Sequence, residues 1–290
     1  MTVARIALCA IVRNEIRSLV EWLAHHKALG FTDFVIYDND STDGTTDVLR
    51  VLDEAGELVH LPWPHSVGAR PQRLAYEHAR KHSEADWLAF FDVDEFLVLH
   101  RDATVGAFLG RFDDAVSAVA VNWIVFGSGG ETVYRACPVI ERFTDALPPE
   151  ARESRTVKAI GRRERLSGTG IHRVAVAKGR YVMPSGRDAV FDGLTASIRP
   201  ETEVAALHHY AVKSLQEFEE KRARGHANSQ FPDAKRAKLD ARFATFDAGG
   251  VRNTVLAERS VPMRAEAARL CAILRAAGLD FPVWPFVEAG

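Results

Sequence analysis

Four short apolar runs, each ending in a polar cluster and separated by helix-length stretches, constrain this chain most. Residues 5–12, "RIALCAIV", form a continuous run rich in branched side chains, which reads as a buried parallel strand. After "RNE", residues Leu19, Trp22, Leu23, His26 and Leu29 recur at helical spacing, and Gly30 closes the helix. "FTDFVIYD" is a second strand. The loop "NDSTDGT" follows, with Asp43 or Ser41 the expected N-cap of the helix "TTDVLRVLDEAG", which Gly56 ends. "ELVHLPW" is a third strand, stopped by Pro62 and Pro64. Pro71 opens a helix over about 70–83, and "DWLAFFDVDEF" is a fourth strand. The order β-α-β-α-β-α-β predicts a mostly parallel α/β sheet with helices on both faces. Such sheets bind ligands beyond the carboxyl ends of their strands, where "RNE", "DNDSTDG" and "DVDE" all fall.

The 290 residues suit one large α/β domain or a domain plus an appendage. A formal net charge of -2 gives no basic field for nucleic acid or for a membrane surface. The three cysteines, Cys9, Cys137 and Cys271, have neither CxxC nor zinc spacing and read as reduced thiols. The N-terminal apolar run is too short for a signal peptide, and no stretch approaches the ~20 apolar residues of a membrane helix. The expected location is the cytoplasm, with peripheral contact at the inner membrane face left open.

Asp92, Asp94 and Glu95 sit between Phe90-Phe91 and Phe96-Leu97-Val98, inside a run that otherwise reads as core. Alternation along a strand sends Asp92 and Asp94 to one side. Two carboxylates so close repel unless a cation lies between them, and Mg²⁺ or Mn²⁺ fits because both prefer oxygen ligands. An isolated DxD is more often a solvated strand end; its position at the end of a fourth strand shifts the balance toward a metal. In the second loop, Asp38, Asn39 and Asp40 can accept from or donate to a nucleobase and ribose. Turn and capping roles explain only Ser41, Thr42 and Asp43.

"AIVRNE", "VIYDNDSTDGT", "WLAFFDVDEFL", "VNWIVFGSGG" and "LHHYAVKSLQEFEEKRARG" occur in this order. Together they resemble the glycosyltransferases of the family 2-like and family 92 groups, which have the GT-A fold. The resemblance covers about residues 6 to 228. It implies a nucleotide-sugar donor, a Mn²⁺ or Mg²⁺ ion on Asp92 and Asp94, and inversion at the anomeric carbon. It also places Arg13, Asn14 and Glu15 at the mouth of the first strand, with Asp38 and Asp40 near the nucleoside. His208 or His209 would complete the metal site. Strand alternation lets only one of them face it, and His208 is the choice. Lys213 is the favoured diphosphate contact among Lys213, Lys221, Arg222 and Arg224, most of which read as a solvated helix face. Gln72 and Arg73 could also reach the donor.

An inverting transfer needs a carboxylate to take the acceptor hydroxyl's proton. The segment after the fourth strand supplies Glu131 as leading candidate, with Glu141 and Asp145 behind it. Trp123 can stack on a sugar, whereas Phe126 reads as core; Gly129 and Gly130 allow close approach of an acceptor, expected to be a glycan or lipid-linked hydroxyl. One alternative is a sugar-nucleotide-forming nucleotidyltransferase, which would want a glycine-rich loop where this chain has "CAIVRNE". Another is a carbohydrate-binding protein whose catalysis has lapsed. The expected division is a catalytic domain over 1–230 and a helical extension over 231–290 packed on it, with "AEAARLCAILRAAGL" its clearest helix.

Overall fold

The computed structural model describes residues 4–64, 70–223 and 241–279. Three of the four apolar runs become single strands: β1 (Ile6–Val12), β2 (Asp33–Asp38) and β3 (Val59–Pro62). They alternate with α1 (Leu19–Ala28), α2 (Thr45–Glu54) and α3 (Pro71–His82). Pro71 stands at the start of α3, where its missing N–H costs nothing. The N-cap of α2 is Gly44 rather than Asp43 or Ser41. Its φ of +97° suits glycine, and a Cβ there would lie 2.8 Å from Ile16 Cδ1. Asp43 instead accepts from the Thr45 N–H at 3.0 Å.

The fourth run is not one strand. β4 (Trp87–Phe90) stops before the acids, and β5 (Glu95–Leu99) starts after them. The turn between is closed twice: the Glu95 N–H donates to the Asp92 carbonyl at 3.0 Å, and the Asp92 N–H donates to Glu95 Oε2 at 2.8 Å. Asp92 and Asp94 therefore do not owe their common direction to strand alternation.

The remaining strands of the sheet are β6 (Val116–Val125), β7 (Val157–Arg162), β8 (Arg180–Val182) and β9 (Ala205–His209). Among the described residues the order is β3-β2-β1-β4-β7-β6-β9-β5, with β8 beside β6. The pairs β1–β2, β2–β3, β1–β4, β6–β9 and β6–β8 are parallel; β4–β7, β6–β7 and β5–β9 are antiparallel.

β1 shows why its sequence is apolar throughout. Ile6, Leu8, Ala10 and Val12 face the core shared with α1 and α2, while Ala7 and Cys9 face Ala75, Tyr76 and Ala79 of α3. Helices thus cover both faces. The short helices α4 (Val105–Leu109) and α5 (Val139–Arg142) follow, then α6 (Leu215–Ala223), α7 (Val255–Glu258) and α8 (Val261–Ala276). α8 lies against α1 and buries Met263, Ala267, Leu270, Cys271 and Leu274, so its apolar stripe is spent on packing. Arg224, the junction at 230 and 231, and the aromatic end of the tail lie outside the described residues.

Candidate active site

A cavity of about 300 Å³ opens beyond the carboxyl ends of β1 and β4. Arg13 reaches it from the end of β1, Asn39 from the end of β2 and Gln72 from the first turn of α3. The turn after β4 contributes Asp92 and Asp94, β6 contributes Trp123, and β9 contributes His209. α6 closes the rim with Lys221 and Arg222.

Asp92 is held from three sides. Gln72 Nε2 donates to its Oδ1 at 2.7 Å and the Tyr76 hydroxyl at 3.3 Å. Lys158 Nζ lies 2.9 Å from its Oδ2 and 3.3 Å from Glu95 Oε2. Lys158 is wholly enclosed, so its ammonium depends on these carboxylates for everything water would have supplied. Burial, the largest influence, would push Asp92 up; the charge and hydrogen bond of Lys158, with His172, together offset it and hold the carboxyl below its usual range. Glu95 is pushed well up, mainly by burial and despite Lys158, so Asp92 is the stronger ionic partner.

Asp94 has a different counter-ion. Lys221 Nζ donates to its Oδ2 at 2.5 Å, and His209 Nε2 lies 3.5 Å from its Oδ1. Burial opposes ionisation here too, but Lys221 and then His209 hold Asp94 well below its usual value.

The structure turns His209, not His208, toward the acids. Alternation does separate the two, but the pairing of β9 with β5 and β6 puts His208 on the opposite face. There it packs on Phe126 with ring centroids 4.7 Å apart, and neither of its ring nitrogens has a partner. The His209 ring sits 4.1 Å from that of Trp123. Phe126 is core, as its pattern suggested; Trp123 lines the cavity, with its buried Nε1 lacking a partner.

Of the second loop, only Asn39 borders the cavity; its Nδ2 donates to the Trp63 carbonyl at 2.8 Å, and its buried Oδ1 has no partner. Asp38 is used up in the loop, accepting from Thr46 Oγ1 at 2.5 Å and from the Ser41 N–H at 3.2 Å. Asp40 is exposed, with a φ of +57°, and does not line the cavity. Arg13 and Glu15 do line it. Asn14 ties the first loop to the second, accepting from the Thr42 N–H at 2.7 Å. Arg73 faces a separate hollow beside Glu77 and Thr169. Lys213 donates to Ser18 Oγ at 2.5 Å and lines a second cavity of about 230 Å³.

The expected proton acceptors are not brought to the cavity. Glu131 is engaged by Arg135, and Glu141 by Arg264 at 2.5 Å. Asp145 is exposed, paired through its backbone with Arg252. Gly129 and Gly130 lie in a turn with φ of +59° and +81°, away from the cavity lining.

Lys158 and His172 are site residues that no sequence signal marks. His172 lines the cavity with its Nδ1 at 3.2 Å from the Val157 carbonyl, and burial lowers it to about 4, keeping the imidazole neutral. Neither residue sits in a motif.

Asp92, Asp94 and His209 have the donor types that a hard divalent ion accepts, and they border one cavity. In donor chemistry they fit Mn²⁺ or Mg²⁺. Among the described residues, however, no three His, Cys, Asp or Glu side chains are already gathered as a coordination set. Lys158 and Lys221 stand on the two carboxylates instead.

Comparison with known proteins gives the class first: the chain falls within a family of glycosyltransferases. It belongs to glycosyltransferase family 92, whose sequence model matches residues 6–246. A family 92 protein of Oryza sativa subsp. japonica, Os08g0121900, is 27% identical over 156 residues, 52% of this chain and 26% of that protein. Another, RCOM_0530710 of Ricinus communis, is 29% identical over 174 residues, 56% of this chain and 29% of that protein. The chain therefore spans less than a third of the length of these relatives. Among solved structures, the mannosyltransferase PcManGT of Pyrobaculum calidifontis in complex with GDP-Man and Mn²⁺ is 15% identical. That match has a TM-score of 0.43 and covers 97% of this chain and 77% of that one. The mostly parallel α/β architecture expected from the motifs stands, and so does the family 92 resemblance. No described helix is long and apolar enough to cross a membrane.

Proposed function

We propose that this chain moves a sugar from a nucleoside-diphosphate donor to a hydroxyl of a glycan or lipid-linked acceptor, with inversion and with Mn²⁺ or Mg²⁺. One observation carries the reading. Two aspartates, both kept ionised, border a cavity at the strand ends together with Trp123, His209 and a rim of cations. Asp94 and His209, with Asp92 beside them, would hold the ion. When bound, it supplies positive charge to the diphosphate that departs.

The chain's own residues do the rest. Arg13, Arg222 and Arg242 border the cavity and add positive charge where phosphate oxygens gain negative charge. Asn39, with its unpartnered Oδ1 beside the end of β2, suits a donor N–H of the nucleoside. Trp123 gives an apolar ring and a spare N–H to a sugar that needs both. Glu131 and Glu141, each engaged by an arginine, are assigned to holding their segments in place; the acceptor hydroxyl's proton would pass to Glu15, the cavity-lining carboxylate not assigned to the ion.

The test is a thermal-shift screen of UDP, GDP, ADP and CDP with and without Mn²⁺. A ligand of the folded state raises its apparent stability as ln(1 + [L]/Kd). At least one diphosphate is expected to raise the Tm only with Mn²⁺, and Asp94→Ala is expected to abolish that shift. A screen with no metal-dependent hit would overturn the proposal.

A further inference from the structure

The two lysines on the DxD acids are built differently. Lys158 comes from β7 in the middle of the sheet and is fully enclosed between Asp92 and Glu95. Lys221 comes from the last turn of α6 at the rim, and 29% of its side chain is exposed. Among the described residues, its ammonium donates besides Asp94 only a long 3.3 Å bond to the Ala211 carbonyl. It also borders both the main cavity and the second, smaller one, together with Glu15, Ala211 and Val212. A flexible four-carbon stem at such a place can swing without unpacking the core.

Charge sets which ions can share this site. With Lys221 on it, Asp94 is already neutralised. A divalent ion reaching the same carboxylate would meet an ammonium a few ångströms away, and like charges that close repel strongly in a partly enclosed site. A nucleoside diphosphate brings several negative charges to the same cavity and can accept from the displaced lysine.

We propose that Lys221 is an exchangeable counter-ion. It neutralises Asp94 while the cleft is empty, yields that carboxylate to a divalent cation, and passes to the donor's diphosphate. This rests on the metal-dependent function proposed for the cleft. It makes metal and nucleotide binding mutually reinforcing, because each removes a reason for Lys221 to stay on Asp94.

Opposite signs test it. Mn²⁺ binding without nucleotide is measured by the electron paramagnetic resonance of free Mn²⁺. UDP and GDP binding at saturating Mn²⁺ is measured by calorimetry. In Lys221→Met, Mn²⁺ alone is expected to bind about fivefold tighter, the scale of a partly exposed ion pair, and the diphosphate about fivefold weaker. Lys221→Arg should keep the diphosphate affinity. In an Asp94→Asn background the Mn²⁺ effect of Lys221→Met should vanish. A lysine that merely braces α6 would weaken both ligands together, and that result overturns the proposal, as does unchanged Mn²⁺ affinity. If neither wild type nor variant binds Mn²⁺, the metal-dependent function itself fails along with it. Thermal melts without ligand establish that each variant is folded.

Discussion

Beneath the cleft, Lys158 meets Asp92 with its entire side chain enclosed, whereas at the rim Lys221 meets Asp94 with 29% of its side chain in water. Both pairs neutralise a carboxylate, and both aspartates are held below their usual range. The difference lies in what can replace the lysine. No solvent reaches Lys158, so its pairing is part of the fold. Lys221 has water as an alternative partner, so its pairing is a state of the site. A cleft that must admit a highly charged ligand benefits from having one of each: a fixed floor that holds the DxD turn in shape, and a rim that can rearrange.

The largest test of that contrast is Lys158→Met. It would leave Asp92 and Glu95 beside each other with no cation, and stranding a buried charge costs about 3–5 kcal/mol. Asp92 keeps 34% of its side chain exposed and can partly hydrate, so the lower end is expected. Urea unfolding should show a loss of about 3 kcal/mol with an unchanged slope. A loss under about 1 kcal/mol would place Lys158 in the same class as a surface pair and erase the distinction.

The floor was the less legible of the two in the sequence. Strands β1 to β3 and their helices follow from apolar runs and turn residues, which are local signals. The break after Phe90 does not, because the apolar pattern continues through both sides of it. What ends β4 is a side-chain bond from Glu95 back to the Asp92 N–H, which no periodicity encodes. A single lysine in "TVKAIGR" looks like a surface residue until β7 is placed between β4 and β6. The choice between His208 and His209 had the same character: the resemblance supplied the pair and alternation allowed only one of them, and the pairing of β9 with its neighbours decided which. Lys213 was favoured over Lys221 for its nearness to the histidines in sequence. Its φ of +54° and its bond to Ser18 carry it into the second cavity instead.

A buried acid without either kind of lysine sharpens the comparison. Glu21 is 2% exposed and accepts from the Val139 and Ile140 N–H groups at 2.9 and 3.3 Å. Among the described residues no cation lies within ion-pair distance of it, and burial raises it from 4.5 to about 7. Between those values the folded state holds a proton that the unfolded chain has released. This group's contribution therefore falls as pH rises through that window, by about 3 kcal/mol in all. Unfolding free energies at about pH 5 and about pH 8 should show that fall in wild type and a smaller one in Glu21→Gln. Equal falls in both proteins would mean that Glu21 stays ionised like Asp92, and that a lysine is not what separates them.

The smallest effect belongs to the rim. Lys221→Met removes one partly exposed ion pair and a 3.3 Å bond to the Ala211 carbonyl, and it leaves the apolar stem largely replaced by methionine. Exposed pairs contribute about 0.2–1 kcal/mol, so the unfolding free energy of the ligand-free protein should change by less than about 1 kcal/mol. Asp94 is more enclosed than Asp92, at 11% side-chain exposure, which argues for the upper part of that range. His209 Nε2 stays 3.5 Å from it. A loss matching that of Lys158→Met would show that the rim pair is as fixed as the floor pair. It would also remove the freedom of movement that an exchange between carboxylate and diphosphate requires.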